Sequence, residues 1–163
     1  CIAITLALDN SLSRAMGSDI SERALTVARR NADELHAKVT FRQADALNAS
    51  SLARQEEGAW DVIVSNPPYI TDDERKDMEA HVLDYEPHAA LFVPNDDPLL
   101  FYRALAKLAK QRLAPEGMIA VETNRMYADE VTRLFEENGL EETQTIMDCF
   151  GNKRFAVGRN ILL

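Results

Sequence analysis

The chain has 163 residues, of which 46% are apolar and 28% charged, and a formal net charge of −9. That balance fits one globular domain, residues 1–163, with enough chain for a sizeable core, and no apolar run approaches a membrane span. The acidity argues against a protein that binds mainly through nucleic-acid phosphates, and suits a protein partner with a basic surface.

Residues 1–8, Cys-Ile-Ala-Ile-Thr-Leu-Ala-Leu, are apolar on every side and predict the first turns of a buried helix. Arg14 to Ser18 reads as a short strand ending at Asp19. Ser21 then caps a helix over 22–35, with Glu22 in its first turn favoured by the helix dipole. Ala24, Leu25, Ala28, Ala32 and Leu35 recur at helical spacing along it. An acidic residue ending the strand of a nucleotide-binding βα unit suits a ribose diol, which offers two hydroxyl donors. Asp19 can equally serve only as a helix cap. Val39 to Gln43 alternates and predicts a strand, followed by Ala44-Asp45-Ala46-Leu47. Residues 48–60 are polar and predict a helix-like excursion on the surface.

Asp61 to Ser65 carries the apolar run Val62-Ile63-Val64 and predicts a central, buried strand. Asn66-Pro67-Pro68-Tyr69 follows at once. Two prolines cannot continue a ladder, because neither has an N–H to donate, and Pro67 keeps Asn66 out of the α region. The strand therefore ends in a stiff, extended turn at the edge of the sheet where ligands bind. The Asn66 side-chain oxygen and the Pro67 carbonyl are two acceptors suited to one –NH2 group. Tyr69 suits stacking on a planar substrate. A conjugated amine is a poor nucleophile, and two acceptors on its hydrogens free its lone pair without a strong base.

Residues 70–98 lack a clear regular element, apart from a short charged helix over Asp72 to Ala80. A loop of that length predicts a functional flap, here over the substrate channel, or a surface insertion. Asp97-Pro98 predicts the start of a helix whose buried face holds Leu100, Phe101, Ala104, Leu105, Leu108 and Ala109. Ala114-Pro115-Glu116-Gly117 predicts a turn, and Met118 to Val121 a buried strand ending at Glu122. A further helix has Ala128, Val131, Leu134 and Phe135 inward and Asn138-Gly139 as its C-cap. Thr143 to Met147 and Arg154 to Arg159 predict two antiparallel edge strands. His36, His81 and His88 lack metal-ligand partners at useful spacing, and no metal site is expected. Cys1 and Cys149 form no CxxC or zinc pattern, which fits a reducing, cytoplasmic setting, and both are expected to be buried.

Val62-Ile63-Val64-Ser65-Asn66-Pro67-Pro68-Tyr69-Ile70 resembles the signature of methyltransferases that methylate a planar amino nitrogen with S-adenosylmethionine (SAM). More narrowly it resembles the HemK/PrmC family, which methylates the glutamine amide in the Gly-Gly-Gln loop of peptide chain release factors. Asp19-Ile20-Ser21, Tyr85-Glu86-Pro87 and the Asp148, Gly151, Arg154 ending match that family's pattern. The resemblance implies an α/β, Rossmann-like class I methyltransferase sheet with helices on both faces. It implies that Asp19, Asp45, the backbone of Ala46 and Asn66 bind SAM. It assigns Asn66, Pro67, Pro68 and Tyr69 to catalysis, and these four with Glu86 to the substrate. Ala46 stands where the family often has an aromatic residue, and Thr123-Asn124 where it has His-Gly or Ile-Gly.

By the same resemblance Cys1 would directly follow the family's glycine-rich SAM loop. The chain is then expected to be a fragment without the first strand, that loop and the N-terminal helical domain. Such a fragment is expected to bind SAM weakly or not at all, to be inactive itself, and to be unstable or self-associate through the gap. Two other functions stay open. An adenine methyltransferase of DNA or RNA would use the same turn but would want a basic, aromatic-lined surface. A non-catalytic, methyltransferase-like protein-binding domain would need no glycine loop.

Overall fold

The chain's computed structural model describes residues 1–10, 14–48, 52, 58–78, 83 and 85–161. Most of the excursion expected over 48–60, and His81, lie outside these residues. The chain forms two compact units, Cys1–Arg54 and Gln55–Leu163.

The first unit contains α1 (Ile2–Asp9), β1 (Ala15–Asp19), α2 (Glu22–Glu34) and β2 (Val39–Gln43). β1 and β2 pair in parallel, with Asp19 opposite Gln43. The Ser21 hydroxyl accepts the Ala24 N–H at 3.3 Å, so the expected N-cap is formed. Leu25 and Ala32 are the buried residues of α2, while Ala24 and Leu35 are exposed. His36 lies past the helix end with φ 55°, in the left-handed region. The expectation of a buried first helix holds only for Ile4; Ile2, Leu6 and Leu8 are each close to half exposed. A two-stranded sheet can cover one side of a helix, and this helix is apolar on all sides.

The second unit is built on a four-stranded sheet of order β3 (Trp60–Ser65), β6 (Leu113–Glu122), β8 (Lys153–Arg159) and β7 (Glu141–Met147). β3 and β6 are parallel; β8 runs antiparallel to both of its neighbours, β6 and β7. β3 ends this sheet and β1 ends the other, in line with the gap expected between them. Of the β3 apolar run Ile63 is buried, while Val62 and Val64 on the other face are exposed. β8, expected at an edge, is interior. The hairpin returns it between β6 and β7, and Ala156 and Val157 are buried there.

The expected turn at Ala114–Gly117 is an excursion inside β6. The β3–β6 register jumps from Trp60↔Leu113 to Val62↔Met118 across it. Asn160 ties it down, donating from its side chain to Leu113 O at 2.9 Å and Ala114 O at 3.1 Å. Gly117 is required here, since a Cβ would stand 2.9 Å from Ala114 O and 3.0 Å from Trp60 O.

α4 (Leu100–Arg112) packs on β6, and α5 (Ala128–Glu137) packs on β7 and β8. α4 starts three residues beyond Asp97, which spends its carboxylate on Arg103 instead of a cap. Tyr102 is among its most buried residues, as core packing of the Phe101-Tyr102 pair requires, and so is Ala106, which lies off the expected buried face. α5 buries Ala128, Val131 and Phe135 and ends as expected, with Gly139 at φ 81° and its N–H on Glu136 O. Cys1 and Cys149 are free and exposed, not buried. Cys1 caps α1, and Cys149 sits in the β7–β8 turn, where no core reaches it.

Residues 70–98 carry short elements, the expected charged helix at Asp72 among them as a 3-10 helix. β4 (Ile70–Thr71) pairs in parallel with β5 (Phe92–Val93), closing the base of the segment. The 3-10 helix, Asp72–Asp77, opens on a capping box of Thr71 and Glu74, and α3 is the single turn His88–Leu91. The ring of His88 packs edge-on against Phe92 at 5.4 Å, beside Arg75, as a structural histidine does.

Candidate active site

Parallel pairing sets the geometry of the second unit. Ser65 lies opposite Val121, so the chain after β3 and the side chain of Glu122 leave the sheet at the same C-terminal edge. Asn66 is exposed there, while Pro67 is buried and anchors the turn. Among the described residues the Asn66 side chain makes no hydrogen bond, so its acceptor oxygen is available to a ligand.

Tyr69 is half-buried, and its hydroxyl donates to Glu122 Oε1 at 2.8 Å. Burial, then the Glu122 hydrogen bond and charge, push the Tyr69 phenol up to about 12. The same Glu122 oxygen is 3.5 Å from Arg154 Nη1, and Arg154 Nε is 3.5 Å from Asp148 Oδ2. Asp148 in turn accepts the Phe150 and Asn152 N–H groups, both at 2.9 Å, around Gly151 at φ 79°. The spacing Asp148, Gly151, Arg154 is therefore a turn that brings an arginine to Glu122. Below it the fully buried Tyr102 donates its hydroxyl to Glu122 O at 3.1 Å.

A second network holds the start of the 70–98 segment. Asn124 Nδ2 donates to Glu74 at 2.9 and 3.0 Å and lies 3.4 Å from Tyr69 O. Glu74 also accepts the Thr71 N–H at 2.9 Å and its hydroxyl at 2.8 Å. Partial burial alone would raise the Glu74 carboxyl. The bonds from Thr71 and Asn124, with the charge of Arg125, outweigh it and hold the group below its ordinary 4.5. A carboxyl with a depressed folded pKa contributes stability that is present above its unfolded pKa. That contribution is lost as pH falls through the folded value. Urea denaturation between about pH 6 and pH 3 should therefore show a smaller acid loss in Glu74→Gln than in the parent. Equal acid sensitivity in the two proteins would count against the network. An open cavity of about 290 Å³ lies beside it, lined by residues that include Thr71, Glu74, Asn95 and Tyr127.

In the first unit Asp19 is the last residue of β1, and Asp45 lies two residues past the end of its partner β2. Ala44 N–H donates to Asp19 O at 3.0 Å, which links the two strand ends. Asp19 Oδ1 accepts the Ser21 N–H at 2.8 Å, so the cap role is real. A carboxylate has acceptor sites beyond that one bond, and Asp19 is exposed. Asp45 Oδ1 accepts the Leu47 N–H at 2.9 Å and shapes the turn through Ala46. Glu86 is exposed, directly before Pro87, the N-cap of α3.

A family model described as a methyltransferase domain matches residues 1–153. The chain belongs to the methyltransferase domain family. This methyltransferase domain is 44% identical over 154 residues to a release factor glutamine methyltransferase of Bacteroides thetaiotaomicron, covering 94% of the chain and 54% of that protein. It is 37% identical over 154 residues to the release factor glutamine methyltransferase of Flavobacterium psychrophilum, covering 94% and 53%. The chain spans about half the length of these curated relatives. TrmN from Thermus thermophilus superposes with a TM-score of 0.64 at 19% identity, over 98% of this chain and 40% of that one. That likeness concerns the fold, which is the α/β methyltransferase fold the sequence had implied.

Of the expected site residues, Asn66, Pro67, Pro68 and Tyr69 form one turn at one sheet edge. Asp19, Asp45 and Ala46 form a separate pair of strand ends in the other unit. Glu122, Arg154, Asn124 and Glu74 were not among the expected site residues. The available signal was Glu122 itself: an acidic residue ending a buried strand needs a partner.

Proposed function

We propose that this domain transfers a methyl group from SAM to the side-chain amide nitrogen of a glutamine in a peptide chain release factor, in the cytoplasm. Both units are then parts of one catalytic domain. The observation that carries the reading is the exposed Asn66 amide, without a hydrogen-bond partner among the described residues, held beside buried Pro67 at the C-terminal edge of β3. The relatives named as release factor glutamine methyltransferases support the choice of acceptor.

The residues present fit the methyl donor. Asp19 offers acceptor capacity for the ribose hydroxyls, and Asp45 with the Ala46 backbone stands at the neighbouring strand end for the adenine. When bound, SAM supplies a methyl group on a sulfonium centre, activated for transfer to nitrogen. The chain's own groups do the rest. Asn66 Oδ1 and the Pro67 carbonyl accept the two amide hydrogens and so draw the nitrogen away from conjugation. They also face the positive charge that develops on nitrogen. The Tyr69 ring packs on the amide plane, and Glu86 contributes to the acceptor surface. The orienting effect lowers the entropic part of the barrier.

Full-length protein incubated with labelled SAM should label a release factor, on the glutamine of its Gly-Gly-Gln loop, and leave DNA unlabelled. Label on DNA, or on neither, would overturn the reading. Asp19→Ala should weaken SAM binding by about 10-fold or more, since hydrogen bonds to a charged group are lost. Calorimetry with unchanged affinity would reduce Asp19 to its cap role.

A further inference from the structure

We propose that Glu122 is a positioning residue for methyl transfer. Braced by Arg154, it takes the Tyr69 hydroxyl and so fixes the position and long axis of the ring that packs on the acceptor amide. The proposal rests on the function proposed above and deepens it.

Three observations converge on this carboxylate. Tyr69 Oη donates to Glu122 Oε1 at 2.8 Å, a charge-assisted bond and so stronger than a neutral one. Arg154 stands 3.5 Å from the same oxygen and is itself braced at 3.5 Å by Asp148. Tyr102 and Asn124 then hold the backbone on both sides. Tyr102 donates to Glu122 O, and Asn124 Nδ2 lies 3.4 Å from Tyr69 O. Here both ends of the residue are tied, the hydroxyl to β6 and the carbonyl to the loop after it. The ring's position is therefore held before any substrate arrives, which is what placement of a planar acceptor demands.

The charged and titratable groups facing the Tyr69 hydroxyl are Glu122, Arg154 and Tyr102. Glu122→Gln keeps the volume but removes the charge and the pairing with Arg154. Tyr69→Phe removes the hydroxyl and keeps the ring. In the full-length enzyme, Glu122→Gln should lower kcat about 10-fold and leave KM for SAM unchanged. In a Tyr69→Phe background the same change should have no further effect, because the two residues act through one bond. A substrate-free reading accompanies the kinetics. Ultraviolet titration, with Tyr69→Phe as the blank, should show the phenol moving down from about 12 in Glu122→Gln. It should move only part-way to 10, since burial remains.

The proposal fails if Glu122→Gln leaves kcat unchanged, if its effect is undiminished in Tyr69→Phe, or if the phenol does not move. If the wild-type enzyme methylates no glutamine acceptor, the functional reading falls and this role with it. A shifted phenol in that case locates the failure in the function, not in the contact.

Discussion

Asn66→Ala should lose about 100-fold or more in kcat while SAM affinity stays within a few-fold. The side chain acts chiefly on an amine that is neutral until the transition state, so its loss is felt far more in the rate than in cofactor binding. The structure sharpens this expectation. Asn66 is exposed and its amide makes no hydrogen bond among the described residues. Its removal should therefore change folding stability by no more than about 0.5 kcal/mol, the usual range for such a surface position. A rate loss in an otherwise unaltered protein can then be assigned to chemistry. Single-turnover kinetics, calorimetry and urea denaturation on one preparation settle it. Near-normal turnover would remove Asn66 from the mechanism.

Phe135→Ala should destabilise the second unit by about 3–5 kcal/mol. Phe135 is fully buried on α5, which packs against β7 and β8. Alanine would leave a large cavity in a close-packed region, and the whole stability of a domain is only about 5–15 kcal/mol. The single tryptophan, Trp60, opens β3 in this unit, so its fluorescence reports the unfolding directly. β8 carries Arg154, and the same substitution should lower activity at temperatures where the parent is still active. A loss below about 1 kcal/mol would show that α5 is not packed on the hairpin as described.

Local chemistry made much of this molecule readable in advance. Asn66-Pro67-Pro68-Tyr69 had to be a stiff turn leaving a strand, because proline cannot donate to a ladder. Ser21 had to cap a helix, and Asn138-Gly139 had to end one, because each supplies a group or a conformation that a helix end requires. β2 and the end of β6 at Glu122 were placed to the residue by alternation and apolar runs.

What the sequence by itself determined is thus the order of the longer strands and helices, the caps at Ser21 and Asn138-Gly139, and the turn that presents Asn66. Those features depend on neighbours a few residues apart. The tertiary structure alone decided which strand of the terminal hairpin lies inside the sheet, and it put β8 there. It alone folded Ala114–Gly117 into an excursion within β6, since the register jump needs Asn160 from the far end of the chain. It alone joined Tyr69 to Glu122, 53 residues away, and Glu122 to Arg154 beyond it. Periodicity reports which side of an element is apolar; it carries no record of which distant side chain will meet it. Hydrogen bonds between residues far apart in sequence become visible only when the sheet has brought their strands together.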